Sequence, residues 1–191
     1  MNPQSGSPLL FVGLGIIFFV VLWFVATHNR LIRLRNHIQE SWSNVDVALQ
    51  RRHDLIPNLV NTVKGFMAHE TATLERLVQL RDEVAGQSGH SDARREAETQ
   101  LGTALGTVLA RVEAYPDLKS SAAFLDLQQE LANTEDRIAA ARRFFNANVR
   151  EYNSAVESFP SSIVAGMQNA KLEEYFELSQ LDVRNPVSVQ I

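Results

Sequence analysis

"RRHDLIPNLVNTVKG", Arg51 to Gly65, is the stretch that decides how this chain folds. It lies within a segment of helical hydrophobic spacing, yet it gathers two arginines, a histidine, an aspartate, two asparagines and a proline. It can be read as an active site, as a helix break, or as a polar seam that sets how one helix meets another. On either side, Leu31, Leu34, Ile38, Trp42, Val45, Leu49, Ile56, Leu59, Val63 and Phe66 follow the three-and-four spacing of a buried stripe, with a gap at Arg52. Pro57 lacks the amide that would bond back to the carbonyl of His53, and its ring crowds that turn. A helix kink or break is therefore expected at Pro57.

Towards the N-terminus, "LLFVGLGIIFFVVLWFVA", Leu9 to Ala26, carries no charge and no strongly polar side chain. Roughly 18 residues at about 1.5 Å each cover about 27 Å, enough for the hydrocarbon core of a bilayer once the flanks snorkel. A cleaved signal peptide fits less well, because "MNPQSGSP" has no Lys or Arg and Phe24 spoils a small-x-small cleavage site ending at Ala26. Trp23 is placed for an interfacial anchor. Arg30, Arg33 and Arg35 follow the span, while its N-terminal flank has no basic residue. The positive-inside rule then puts the N-terminus outside and the bulk of the chain in the cytoplasm, with the membrane crossed once.

Towards the C-terminus the pattern stays helical, without a strand signal. The first helix can run to about Val84 if Pro57 does not break it. A second is expected from about Ala93 to Ala114, after the loop "AGQSGHSD", with Ser91 or Asp92 as cap. "AYPDLKSS" is the next break, and one long helix then runs from Ala122 to Pro160 on a stripe marked by Phe124, Leu127, Leu131, Ile138, Ala141, Phe145, Val149, Tyr152 and Val156. The expected fold is all-α, a transmembrane helix followed by an antiparallel four-helix bundle, with Pro57 dividing the first long helix. The boundaries are 1–8 for a short flank, 9–27 for the span, 28–160 for the bundle, and 161–191 for an amphipathic segment and irregular tail. Gly102 and Gly106 make a small face suited to close helix approach.

Composition narrows the function. The 191 residues are 45% hydrophobic and 21% charged with a net charge of −4, and the arginines form no single stripe, so nucleic acid is not an expected partner. With no cysteine, thiolate nucleophiles, thiolate metal sites and disulfides are excluded. No histidine has a glutamate three residues before it, and His69 and Glu70, being adjacent, point about 100° apart on a helix. Phosphate-binding glycine loops and nucleophile elbows are missing, and Ser41 and Ser43 fall on the exposed side of a helix. No catalytic residue, cofactor or metal is assigned. The competing reading is a membrane-tethered hydrolase or metal site built from Asp46, His53, Asp54, His69 and Glu70.

The polar residues fit a seam better. Asp46, Gln50, Asp54 and Asn61 repeat along one edge with Arg51, Asn58 and Lys64 beside them, while the last long helix offers Glu135, Arg142, Asn146, Arg150 and Asn153 at similar spacing. Fifteen Arg to three Lys is the bias expected of ordered, partly buried ion pairs. Such a seam adds little net stability but penalises the wrong helix register. Its expected members are Asp46, Arg51, Asp54, Asn58, Asn61, Arg142, Asn146 and Asn153. A contact patch is expected at Ile163, Val164, Met167, Tyr175 and Phe176.

Two long stretches, "LRNHIQESWSNVDVALQRRHDLIPNLVNTVKGFMAHE" and "AYPDLKSSAAFLDLQQELANTEDRIAAARRFFNANVREYNSAVESFPSSIVA", closely resemble the LemA family of bacterial proteins. The motifs that carry the resemblance are Trp42, Asp46, Arg51-Arg52, Asp54 to Asn58, Tyr115-Pro116, Arg142-Arg143, Asn146, Tyr152-Asn153 and Pro160, and it extends from about Leu31 to Phe176. The chain departs from the family at Phe145, where many relatives carry Tyr, and at Met167-Gln168. The resemblance implies a membrane helix and a cytoplasmic α-bundle, without supplying an activity. One branch is similar to the magnetosome-membrane protein MamQ, which leans towards membrane organisation. Together these readings make the expected function that of a membrane-anchored scaffold. Its partners are the lipid bilayer and either further copies of itself or another membrane protein.

Overall fold

The computed structural model describes residues 7–87 and 89–177, and every regular element among them is helical. Helix α1 is Ser7–Val63, α2 Thr71–Ala85, α3 Asp92–Val112, α4 Pro116–Lys119, α5 Ala122–Glu157 and α6 Ser161–Met167, with a 3-10 turn at Ala68–Glu70 before α2.

Helix α1 starts as the apolar segment, and from Leu10 to Val25 its large side chains are exposed, with Phe24 half-buried. Nothing else in the described chain covers the most apolar part of this helix. Soluble proteins rarely leave so long a continuous apolar face uncovered, whereas a bilayer requires one.

The expected break at Pro57 is not there: α1 continues through it to Val63. Pro57 is exposed, so its ring stands on the solvent side, where a helix tolerates the loss of one backbone bond most easily. The chain turns instead just after Val63, where the Phe66 and Met67 amides both donate to the Val63 carbonyl, at 3.0 and 2.9 Å. Met67 is buried there, closing the apolar stripe. Helix α3 begins where the cap was expected, the Ser91 side chain accepting from the Arg94 amide at 3.3 Å. Gly89, with φ of +76°, takes a left-handed turn that a side chain would strain. The expected break at "AYPDLKSS" holds the one-turn helix α4, opened by Pro116 at a first-turn position where a missing amide costs nothing.

The described residues divide into two compact units, one formed by residues up to 41 with 145–175 and the other by residues from 42 to 144 with Phe176 and Glu177. In the first, Leu31, Leu34 and Ile38 of α1, Phe145, Val149 and Tyr152 of α5, and Val164 and Ala165 of α6 are buried. Asn153 ties down the irregular segment after α6, its Nδ2 donating to the Glu173 carbonyl and its Oδ1 accepting the Glu173 amide, both at 2.9 Å. Ser41, expected on an exposed side, is buried and donates to the Ile38 carbonyl at 2.9 Å.

The second unit holds one continuous core. Leu55, Ile56, Leu59 and Val63 of α1 join Leu74, Leu77, Leu80 and Val84 of α2, then Leu101, Leu105, Val108 and Val112 of α3, Leu118 of α4, and Phe124, Leu127 and Leu131 of α5. Each set repeats at three and four residues, the geometry of one buried helix face. Four long helices thus line this core, although the chain separates α1 from α2 after Val63 and not at Pro57.

Candidate functional site

The polar centre of this core is built on the position that interrupts the apolar stripe. Arg52 is 1% exposed and Glu98, opposite it on α3, is 0% exposed. One Arg52 Nη2 proton goes to a Glu98 carboxylate oxygen, and Nη1 reaches Glu135 of α5 at 3.3 Å. Buried beside them, His53 has its Nε2 3.1 Å from Glu98 Oε1 and 3.3 Å from Oε2. Arg94, one turn before Glu98, brings its Nε within 3.9 Å of the same carboxylate and donates to Asp46. Gly102 of α3 lies against this guanidinium: a Cβ there would stand 3.5 Å from Arg52 Nη1, an ordinary contact distance.

Burial by itself would raise the pKa of Glu98. The hydrogen bond from His53 and the charge of Arg52 outweigh it, and the carboxyl is held below its ordinary range. Arg142 of α5 is lowered by burial, with Glu135 opposing and Arg52 adding to the shift. The Nε atoms of Arg52, Arg94 and Arg142 are buried without hydrogen-bond partners among the described residues. A charge cluster left partly unsatisfied contributes little net stability. It discriminates strongly against any other helix pairing.

Beside it lies an aromatic cluster. Trp42 packs edge-on against Phe176 at 5.0 Å between ring centroids and lies 5.4 Å from His90. The Arg94 guanidinium sits 5.5 Å from the Trp42 ring centroid, a cation–π distance. Arg94 thus joins the carboxylates to the aromatic rings.

The structure redistributes the expected seam. Asp46 pairs with Arg94 of α3, not with the last long helix. Arg51 bonds across to Glu130 of α5, and both are exposed. Asp54 accepts from Gln50 on its own helix at 2.9 Å in an exposed position. Asn58 is exposed. Asn61 is exposed as well and accepts from Lys64 at 3.1 Å. Asn153 is buried but bonds to the Glu173 backbone. Asn146 is half-buried. Periodicity fixes which residues share one edge of a helix and does not say which neighbour stands opposite. Asp54→Ala is accordingly expected to change unfolding free energy by no more than about 0.5 kcal/mol in a urea titration of the detergent-solubilised chain.

Arg52, Glu98 and Arg94 are not among the residues that seam spacing picks out, though each carries a signal in the sequence. Arg52 is the gap in the α1 stripe, and Arg94 and Glu98 continue the α3 stripe of Leu101, Leu105, Val108 and Val112 backwards at helical spacing. The residues of the hydrolase reading do not converge on one another. Asp46 is on Arg94, His53 on Glu98, Asp54 on Gln50, and Glu70 on Arg111 at 2.8 Å. Among the described residues no three His, Asp or Glu side chains come together as a metal-ligand set.

The contact patch is also corrected. Val164 is 0% and Phe176 1% exposed, whereas Ile163 at 53%, Met167 at 69% and Tyr175 remain on the surface. Helix α6 turns Val164 and Ala165 inwards, and Phe176 packs on Trp42.

The model of the LemA family matches residues 41–191, which include the ionic and aromatic clusters. The chain is similar to "Protein LemA" of Metamycoplasma hominis, 28% identical over 173 residues that cover 89% of this chain and 78% of the relative. It is similar as well to "Magnetosome protein MamQ" of Magnetospirillum gryphiswaldense, 27% identical with 85% and 69% covered. "Magnetosome protein MamQ 2" of Paramagnetospirillum magneticum shows 27% identity with 82% and 68% covered.

Proposed function

Since this chain belongs to the LemA family, and its first helix begins with an uncovered apolar segment, we propose that it is a single-pass membrane protein that works through contact and not through chemistry. It acts by self-assembly or by holding a membrane-protein partner, in the organisation of a bacterial inner membrane. The observation that carries this reading is helix α1, whose exposed residues Leu10 to Val25 continue without interruption into residues that build protein core. The buried ionic cluster supports a structural role, since its arginines and carboxylates form their ion pairs with one another. Phe159, Ile163 and Met167 are exposed apolar side chains close in sequence around α6 and suit contact with another protein surface.

Orientation and assembly can be tested separately. The chain has no cysteine, so single thiols introduced by Ser5→Cys and Ser158→Cys report without background. In spheroplasts an impermeant maleimide is expected to label Ser5→Cys directly and Ser158→Cys only after permeabilisation. The reverse pattern overturns the proposed orientation. Light scattering and negative-stain images of the full chain in mild detergent are expected to show particles larger than the monomer, reduced by Ile163→Asp with Met167→Asp. A monomeric wild type leaves capture of a partner as the working mode, to be identified by crosslinking in cells.

A further inference from the structure

Just after the apolar segment, a cavity of about 450 Å³ is lined by Ile32 and Arg35 of α1, Tyr152 of α5, and Asn169, Lys171 and Glu173 of the segment following α6. Its size lies within the range of small-ligand sites. We propose that it holds the headgroup of a bilayer phospholipid, the phosphodiester between Arg35 and Lys171 and an ethanolamine ammonium on Glu173. The inference rests on the membrane-anchored reading of α1.

Position is the first argument. At a helical rise of about 1.5 Å, Ile32 and Arg35 follow Ala26 by about 9 and about 14 Å, the first near the outer border of the headgroup layer and the second a few ångströms beyond it. Helix side chains lean towards the N-terminus, which here is the bilayer side, so the long Arg35 chain reaches back to the lipid level. Ile32 is 45% exposed in the same cavity and offers apolar surface to the glycerol end of a lipid.

Charge is the second. Two cations and one carboxylate line the cavity, and Arg35 Nε lies 3.9 Å from a Glu173 oxygen, an ion contact longer than a hydrogen bond. A zwitterionic phosphoethanolamine matches that set of signs, whereas a phosphoglycerol headgroup places only negative charge beside Glu173. Burial, with the Glu173 charge adding and Arg35 opposing, pushes the Tyr152 phenol up, so its O–H remains a donor at neutral pH.

The wall is also fixed in place. Asn169 takes φ of +51°, a left-handed conformation that asparagine tolerates better than most residues. There the Ala170 amide closes α6 by donating to the Ala165 carbonyl at 3.0 Å. Two residues beyond Lys171, Asn153 clamps the backbone of Glu173. Lys171 is therefore held between two anchored points.

The test uses the full chain. Native mass spectrometry in mild detergent, with phosphatidylethanolamine, phosphatidylglycerol or phosphatidylcholine added, is expected to show preferential retention of phosphatidylethanolamine. Arg35→Gln with Lys171→Gln should lower that retention at least about tenfold, and Glu173→Gln should abolish the preference over phosphatidylglycerol. These side chains lie outside the buried core, and flotation with vesicles after carbonate washing checks insertion independently. Failure of the wild type to float overturns the anchor. Flotation with equal retention by wild type and the double variant overturns the pocket alone. Displacement of the lipid by equimolar glycerophosphoethanolamine would make it a site for soluble phosphate compounds and overturn the lipid assignment.

Discussion

Glu98→Ala is expected to destabilise the fold by about 3–5 kcal/mol, the cost of leaving a buried guanidinium without its carboxylate. Glu98 has no exposure, its partner Arg52 is almost as deep, and Glu135, which remains for Arg52, is a part-exposed carboxylate at 3.3 Å. Urea denaturation of the detergent-solubilised chain measures the loss. Arg52→Met combined with Glu98→Leu should recover most of it, because two apolar groups of similar volume leave no uncompensated charge. Equal losses in the single and double variants would mean that packing, not charge, dominates at this position. The linkage to pH has a definite sign. The folded pKa of Glu98 is depressed, so its contribution is fully present above the ordinary carboxylate value of 4.5 and is lost as pH falls through the lower folded value. Below about pH 4.5 the wild type should therefore lose stability more steeply than Glu98→Gln.

Phe176→Ala should cost about 3–5 kcal/mol, the range for truncating a buried aromatic side chain. Phe176 is 1% exposed and meets Trp42 edge-on at 5.0 Å, a geometry worth about 0.5–1.5 kcal/mol beyond the area it buries. Trp42 is also the reporter: in a Trp23→Phe background its emission should shift to the red when Phe176 is removed. An unchanged unfolding midpoint and spectrum would return Phe176 to the surface patch. The corresponding change at Met167, which is exposed, should leave stability within about 0.5 kcal/mol.

Much of the architecture was legible because its demands are local. A bilayer requires an unbroken apolar run, and Leu9 to Ala26 supplies it. Helix periodicity gave α3 and α5 nearly their observed limits, and the cap of α3 was narrowed to Ser91 or Asp92 before any partner was known. Pro57 misled because a proline deletes one backbone bond wherever it sits, while the outcome depends on whether that turn faces solvent, which a local pattern does not state. The site was harder for the same reason. Arg52 and Glu98 are 46 residues apart in the chain, and each looks like a flaw in its own apolar stripe. Only when α1 and α3 are laid together do the two flaws become a pair. Polar side chains that looked promising for their regular spacing, Asp54 and Asn61 among them, found partners within three or four residues of themselves instead.

The separation of those partners also sets a schedule for synthesis. Arg52 leaves the ribosome 46 residues before Glu98 and 83 before Glu135. At about 5–20 residues per second it waits about 2–9 s for the first carboxylate and about 4–17 s for the second. On the membrane-anchored reading, the apolar stripe of α1 is uncovered through that interval beside the membrane into which the preceding segment inserts. A charged arginine in the middle of the stripe makes it costly for this part of the helix to follow the span into lipid. The residue that later locks the bundle thus first keeps the growing chain in water until its partners are made.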